Sequence, residues 1–284
     1  LRPFRALSNG EQFRATMARA LAEAAAIERD RPAETPADRD KRRPVVSGPP
    51  PVVIDEFTSV VDRTVARIGS AAIAKAIRRG DARSPQTRFV AVSCHYDIIE
   101  WLCPDWIYES SAGSFQWRCE RRRPGIALEI CPVRRTAWRL FRRHHYLSTS
   151  LHPGASCYAG LVDGQPAAFA AVVPFPHPRR PGWREHRTVC LPDFQGVGIG
   201  NALSEFVAAL YRKTGKPYFS TTSNPAMIAH RARSPLWRMT RAPSMISSRR
   251  HGGFKHLQFD TSFGRMTASF EFVGPGLSCE AVRP

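Results

Sequence analysis

The stretch Phe194-Gln195-Gly196-Val197-Gly198-Ile199-Gly200 has the residue types of a turn that can cradle phosphate. Glycine reaches backbone conformations closed to other residues and lets the chain approach a ligand closely. The apolar-periodic run that follows, from about Asn201 to Lys213, reads as a helix. The first N–H groups of a helix have no partner within it, so an anion at this point meets exposed donors and the positive end of the helix dipole. A pyrophosphate fits such a turn, provided that a strand precedes it and a helix follows.

The elements around the turn come in that order. IALEICPV reads as a strand and TAWRLFRRHHYL as an amphipathic helix; CYAGLVDGQPAAFAAVVPF reads as two strands joined at Asp163-Gly164, a hairpin signal. REHRTVCLP is a fourth strand and leads into the turn. After the helix come the strand YFSTTS, a helix from Pro225, a basic, loop-like tail over residues 241–254, and the closing strand MTASFEFVG. Upstream, residues 11–28 read as a helix, the Pro-rich and charged run over 29–51 as a surface loop, PVVIDEF as a buried strand, residues 59–79 as a helix and RFVAVSCHY as a second buried strand. A Trp-rich stretch follows. ERRRPG resists both helix and strand, which divides the chain into residues 1–118 and 119–284.

Gln195, Gly198 and Gly200 fit the pattern Q-x-x-G-x-G, and with Leu191-Pro192-Asp193-Phe194 before it the stretch resembles the acetyl-CoA motif of the GNAT acetyltransferase family. The likeness runs from about Arg123 to Pro275. It implies a mixed α/β sandwich whose sheet splays between its fourth and fifth strands, and an N-acyltransferase that takes acetyl-CoA or another acyl-CoA and an amine acceptor of unknown identity. By the same resemblance, backbone groups near Cys190 and Leu191 would bind the pantetheine arm in the splay. Gln195, Gly196, Val197, Gly198, Ile199 and Gly200 would hold the pyrophosphate, and Asn224, just after the fifth strand, would complete the cofactor site.

Acyl transfer needs an amine without its proton and a donor for the departing thiolate. Relatives commonly carry a carboxylate base on the fourth strand, where this chain has Glu185 and His186. Alternation lets only one of them face a substrate, and the sequence does not choose. His144 and His145 close the first helix of the domain, on the acceptor side in the resembled family. The Tyr that usually protonates the thiolate is missing from Asn224-Pro225-Ala226-Met227-Ile228-Ala229-His230-Arg231; His230 or Tyr218 would stand in, or no protein acid is needed. The His144-His145-Tyr146 stretch and the basic composition are also similar to phage Mom-type proteins, which modify adenine in DNA.

The first part of the chain resembles a different family. Leu7-Ser8-Asn9-Gly10-Glu11-Gln12 is similar to the signature motif of ABC-type ATPases, with Asn9 where Gly is usual. Val52-Val53-Ile54-Asp55-Glu56 resembles their Walker B strand, Ser59-Val60-Val61-Asp62 their D-loop, and Ser93-Cys94-His95 their switch-histidine strand end. The resemblance implies a partial P-loop-like domain in which Asp55 organises magnesium, Glu56 polarises water and His95 senses the γ-phosphate. Ser8 and Gly10 would cover the nucleotide of a partner subunit, and a dimer through this part follows. No G-x-x-x-x-G-K-S/T turn occurs in the sequence. The phosphate-gripping loop is expected upstream of this chain or lost, and MgATP hydrolysis is expected only if that part is supplied.

Charge separates the two parts. Residues 1–118 hold 18 Lys+Arg against 15 Asp+Glu, a net of +3, while residues 119–284 hold 24 against 9, a net of +15. A compositional bias acting on the whole chain cannot produce that asymmetry, so the second part is expected to meet nucleic acid or a highly phosphorylated ligand. Seven cysteines without a C-x-x-C pair suggest reduced, mostly buried thiols and no structural metal. No run has the length and apolarity of a membrane span, and a cytoplasmic protein with no membrane partner is expected.

Overall fold

The computed structural model describes residues 3–29, 51–78, 87–117, 125–145, 149–245 and 266–277. The chain forms two compact units, 1–125 and 126–284.

In the first unit α1 (Asn9–Arg29) begins at a capping box: the Ser8 N–H donates to the Glu11 carboxylate at 2.9 Å and the Glu11 N–H to the Ser8 hydroxyl at 3.3 Å. Strands β1 (Val52–Ile54) and β2 (Phe89–Ala91) are parallel neighbours, and α2 (Arg63–Arg78) is the crossover that parallel pairing demands. The strand read from PVVIDEF stops at Ile54 because a turn follows, with Glu56 (φ 53°) and Thr58 (φ 70°) in left-handed conformations. The Asp62 carboxylate accepts the Thr64 and Val65 N–H groups, so α2 starts there rather than at Ser59. Phe13, Met17, Phe57, Val65, Ile73, Ile98 and Leu102 form the core of this unit. After α3 (Ile98–Leu102), the Trp-rich stretch proves to be a hairpin of β3 (Trp106–Glu109) and β4 (Ser114–Trp117).

The second unit is a seven-stranded sheet built from β5 (Glu129–Val133), β6 (Ser156–Val162), β7 (Gln165–Phe175), β8 (Gly182–Cys190), β9 (Tyr218–Thr222), β10 (Trp237–Met245) and β11 (Met266–Phe272). Its order is β10-β11-β9-β8-β7-β6-β5, antiparallel except between β8 and β9. Asp163 (φ 51°) and Gly164 (φ 73°) make the β6–β7 hairpin as their residue types require. Residues 167–173 of β7 are all buried, as in a strand covered on both faces. On one face Phe169 packs between Trp138 and Phe141 of α4 (Trp138–Phe141), at ring separations of 5.2 and 5.3 Å; burying such a side chain is worth about 2–3 kcal/mol. The other face carries α5 (Ile199–Arg212) and α6 (Pro225–Arg233).

TAWRLFRRHHYL is not one helix: 3-10 turns at Arg135–Ala137 and Arg142–His144 flank the single turn of α4. Residues 241–245, expected as loop, continue the edge strand β10, where Pro243 and two register irregularities are tolerated because one side needs no partner. Residues 246–254 and Tyr146 lie outside the described residues. Among the described residues no helix is long and apolar enough to cross a membrane. Of the described thiols Cys157 is buried, Cys94 is exposed and the rest are intermediate, so "mostly buried" does not hold for them.

Candidate active site

Strands β8 and β9 pair at two positions, Trp183 with Tyr218 and Arg184 with Phe219, and then separate. On its other side β8 stays paired with β7 as far as Cys190. The Leu191 N–H donates to the Ala167 carbonyl at 2.8 Å. In an antiparallel ladder hydrogen-bonded pairs alternate with non-bonded ones, so Cys190 and Thr188 turn their backbone groups from β7 towards the gap. Leu191, expected among the pantetheine partners, has its N–H committed to β7, whereas the backbone of Thr188 faces the gap. The Cys190 carbonyl accepts the Gln195 side-chain amide at 2.9 Å.

The glycine turn follows at the end of β8. A 3-10 turn (Pro192–Phe194) buries Phe194, and Gly196 (φ 95°) and Gly198 (φ 106°) adopt left-handed conformations. Gly198 is the N-cap of α5, so the N–H groups of Ile199, Gly200 and Asn201 open the helix without intrahelical acceptors. A Cβ on Gly200 would stand 3.4 Å from that of Cys190, which shows how closely the helix start packs on the strand end. Residues 195–200 therefore form one continuous turn beside the gap. Gln195 acts here as a staple between strand and turn. Asn224 caps α6, its side-chain oxygen accepting the Ala226 and Met227 N–H groups at 3.0 and 3.2 Å.

The two candidate bases part company at a bulge. Ala171 pairs with Arg187 and Val172 with Glu185, leaving His186 as the extra residue of β8. Glu185 points to the α5 side, where its carboxylate meets Arg231 of α6 at 2.8 Å, Ser204 of α5 at 2.7 Å, and the hydroxyls of Ser220 on β9 and Thr188. The Arg231 side chain is 1% exposed and that of Glu185 6%. Burial by itself would push the Glu185 carboxyl up, but the Arg231 guanidinium and the hydroxyls of Ser220, Thr188 and Ser204 outweigh it and hold the group below the usual carboxylate value. An anion with so many partners is a poor proton acceptor.

His186 points to the opposite face. Its Nε2 accepts the His152 N–H at 3.1 Å, so the neutral ring carries its proton on Nδ1. Burial, with Arg187, His152, Arg184 and His145 nearby, pushes its conjugate acid down to about 3. His145 packs edge-on against Trp138 at 5.7 Å and lies on the same side as His186 and His152. His144 instead meets the Arg143 side chain at 2.9 Å. His230 lies on α6 with Nε2 2.8 Å from Glu205 of α5, and Tyr218 is fully buried on the helix side. The structure thus brings His145, His152 and His186 together and sets Glu185 and His230 apart from them. Arg231, Ser204, Ser220, Thr188, His152 and Glu205 escaped sequence reading because nothing in their local pattern marks them. Among the described residues no group of three or more His, Cys, Asp or Glu could hold a metal.

In the first unit the parallel pairing of β1 and β2 places Asp55 and Glu56 at the end of one strand and Ser93 to His95 just beyond the same end of its neighbour. The Ser93 hydroxyl donates to the Phe57 carbonyl at 2.9 Å and ties the two ends. Ser8 and Asp62 are helix caps, and Gly10 is buried in the first turn of α1.

Residues 96–232 match the family model described as "Acetyltransferase (GNAT) family". The match begins inside the first compact unit. Solved structures similar to the chain include an acetyltransferase of this family from Desulfovibrio desulfuricans (16% identity, 51% of this chain and 98% of that one, TM-score 0.37). The ribosomal-protein-S18-alanine N-acetyltransferase of Escherichia coli is another (15% identity, 56% and 100%, TM-score 0.37). A Bacillus subtilis acetyltransferase solved with CoA is a third (12% identity, 52% and 98%, TM-score 0.38). A search of curated protein sequences finds no match.

Proposed function

We propose that the second unit transfers an acetyl group from acetyl-CoA to an amine nitrogen. The observation that carries this reading is the gap between β8 and β9 running into the turn at Gly196 and Gly198. The gap offers strand backbone at Thr188 to an extended amide arm, and the turn offers the N–H groups of a helix start, which have no intrahelical acceptors, to a pyrophosphate. The thioester carbonyl would then lie where β8 and β9 separate, beside His186. Since the His186 conjugate acid sits at about 3, the ring is the neutral imidazole at neutral pH, with its single proton on Nδ1. The amine reaches the carbonyl already neutral, with water carrying its proton away, and the Nδ1–H of His186 can donate to developing negative charge. No carboxylate base is required, which suits the commitment of Glu185 to Arg231. Acetyl-CoA-dependent release of free thiol in the presence of amines, with the Gly198→Val protein as control, tests this assignment.

A second reading concerns the first unit. Adjacent parallel strands that end in Asp55-Glu56 and in His95 are what a nucleotide-hydrolysing site of the ABC kind places together, which supports a partial ATPase module there. Without a glycine-rich P-loop in the sequence, this unit is expected to bind MgATP weakly. Equilibrium dialysis with labelled ATP tests it, and micromolar affinity would overturn the expectation. The charge of the second part supports nucleic acid as a partner of the acyltransferase, including the Mom-like alternative in which a base amine is the acceptor.

A further inference from the structure

The sheet face on which His186 stands continues across the gap onto β9, β11 and β10. Helices α5 and α6 lie against the other face, where Tyr218, Ser220, Ala268, Phe270 and Phe272 are buried. By strand register the open face carries one row running Arg184, Phe219, Glu271, Arg238. The next row carries Thr221, Ser269 and Arg241. Arg184 and His186, two residues apart on β8, share this side.

The row is built rather than incidental. Glu271, whose side chain is 6% exposed, is shared between Arg180 at 2.6 Å and Arg238 at 2.7 Å. Arg180 also lies over the Phe219 ring at 5.5 Å, and Arg184 over Phe175 at 5.6 Å. Arg241 donates to the Thr267 hydroxyl at 2.7 Å, and the Thr221 and Ser269 hydroxyls are 3.0 Å apart. Two arginines thus share a single carboxylate, while Arg184 and Arg241, on the same face, have no carboxylate partner among the described residues. Guanidinium forks already held by stacking and hydrogen bonds lose little entropy on meeting an anion, and their geometry matches phosphate.

We propose that the acceptor amine belongs to a molecule that carries a phosphate, and that the arginine-bearing face beside the gap receives that phosphate, with Arg184 at its β8 end and Arg241, with the Thr221 and Ser269 hydroxyls, further across. The proposal rests on the acyltransferase reading and names its substrate class. A phosphate dianion has three acceptor oxygens and can use several forks and a hydroxyl together, whereas a neutral amine would leave Arg184 and Arg241 without an ionic partner.

The test compares ethanolamine with O-phosphoethanolamine as acceptors, and adds a short single-stranded oligonucleotide with exocyclic amines as a second phosphate source. The phosphorylated substrates are expected to show at least tenfold higher kcat/KM than ethanolamine. Arg184→Gln and Arg241→Gln, both exposed, should raise the acceptor KM at least fivefold and leave the KM for acetyl-CoA and the melting temperature unchanged. Preference for O-phosphoethanolamine or for the oligonucleotide then tells a free phosphate from a nucleic-acid backbone. Acetyl-CoA binding that needs Gly198, with no advantage from phosphate and no effect of either variant, overturns the proposal and leaves the cofactor reading standing. If acetyl-CoA does not bind, NMR titration with O-phosphoethanolamine alone decides: shifts lost in the two variants sustain the phosphate face, and no shifts overturn it.

Discussion

The guanidinium of Arg231 lies 2.8 Å from the carboxylate of Glu185 and 4.3 Å above the ring of Trp237, at the vertex where β8 and β9 part. One side chain comes from a helix and the other from a strand, and Ser220 of β9 bridges them by donating to Glu185 and accepting from Arg231. Taking both charges out of water is costly, so the pair stabilises little in total, but removing one partner strands the other. Arg231→Met is expected to lower stability by about 3–5 kcal/mol, and the double variant Arg231→Met/Glu185→Leu to recover much of it. Chemical denaturation of the three proteins measures this. The sign of the pH effect separates the cases. In the native protein Glu185 is held below its usual value, so its contribution is present at neutral pH and is lost as pH falls through the folded value. With Arg231 gone, burial raises the Glu185 value above that of the unfolded chain, and Arg231→Met should become more stable as pH falls towards 4.

His186 should govern a different pH window. Its conjugate acid drops from the ordinary 6.5 to about 3 on folding. Between those values the unfolded chain binds a proton there that the folded chain does not, so stability falls as pH is lowered from 6.5. His186→Gln should flatten the melting temperature against pH between 6.5 and 5.5, above the range where most carboxylates titrate. An unchanged slope would mean that the ring is protonated in the native state.

How far these residues can be read without coordinates depends on the range of the interaction. Gly198 and Gly200 were legible because glycine at a strand-to-helix turn is a local demand, and Asp163-Gly164 announced its hairpin for the same reason. The choice between Glu185 and His186 was not legible. It turns on the bulge at His186 and on Arg231, which lies 46 residues away in the chain. Asn224 sat where a cofactor ligand was expected, yet capping α6 explains its type equally well. The Trp106–Trp117 hairpin and the end of β10 were missed because one is short and the other carries Arg and Pro on an edge, where cross-strand pairing outweighs local preference.

Gly198→Val is expected to remove acetyl-CoA binding. At φ 106° a β-branched residue is strained by roughly 1–2 kcal/mol or more, and relief of that strain turns the first N–H groups of α5 away from the pyrophosphate. Thermal-shift titration should show a melting-temperature rise with excess acetyl-CoA in the native protein and none in the variant. Equal shifts in both proteins would place the cofactor elsewhere.

The final prediction concerns the net charge of +15 in residues 119–284. Arg139 on α4 and Arg142 and Arg143 in the following 3-10 turn are all exposed, and they adjoin His144 and His145. If these arginines meet a nucleic-acid backbone, each phosphate they neutralise releases condensed counterions, and affinity falls steeply with salt. Filter binding of a duplex across a salt series should give a linear log–log plot. Replacing all three with Ala should reduce its slope by up to about 2.7, since each lost contact accounts for about 0.9 on duplex DNA. The same triple variant should leave the acetyl-CoA thermal shift unchanged, because none of these residues lies in the turn or the gap. Affinity that barely responds to salt, or a slope that the variant leaves untouched, would remove nucleic acid as the reason for this charge and make small phosphorylated amines the acceptors to pursue.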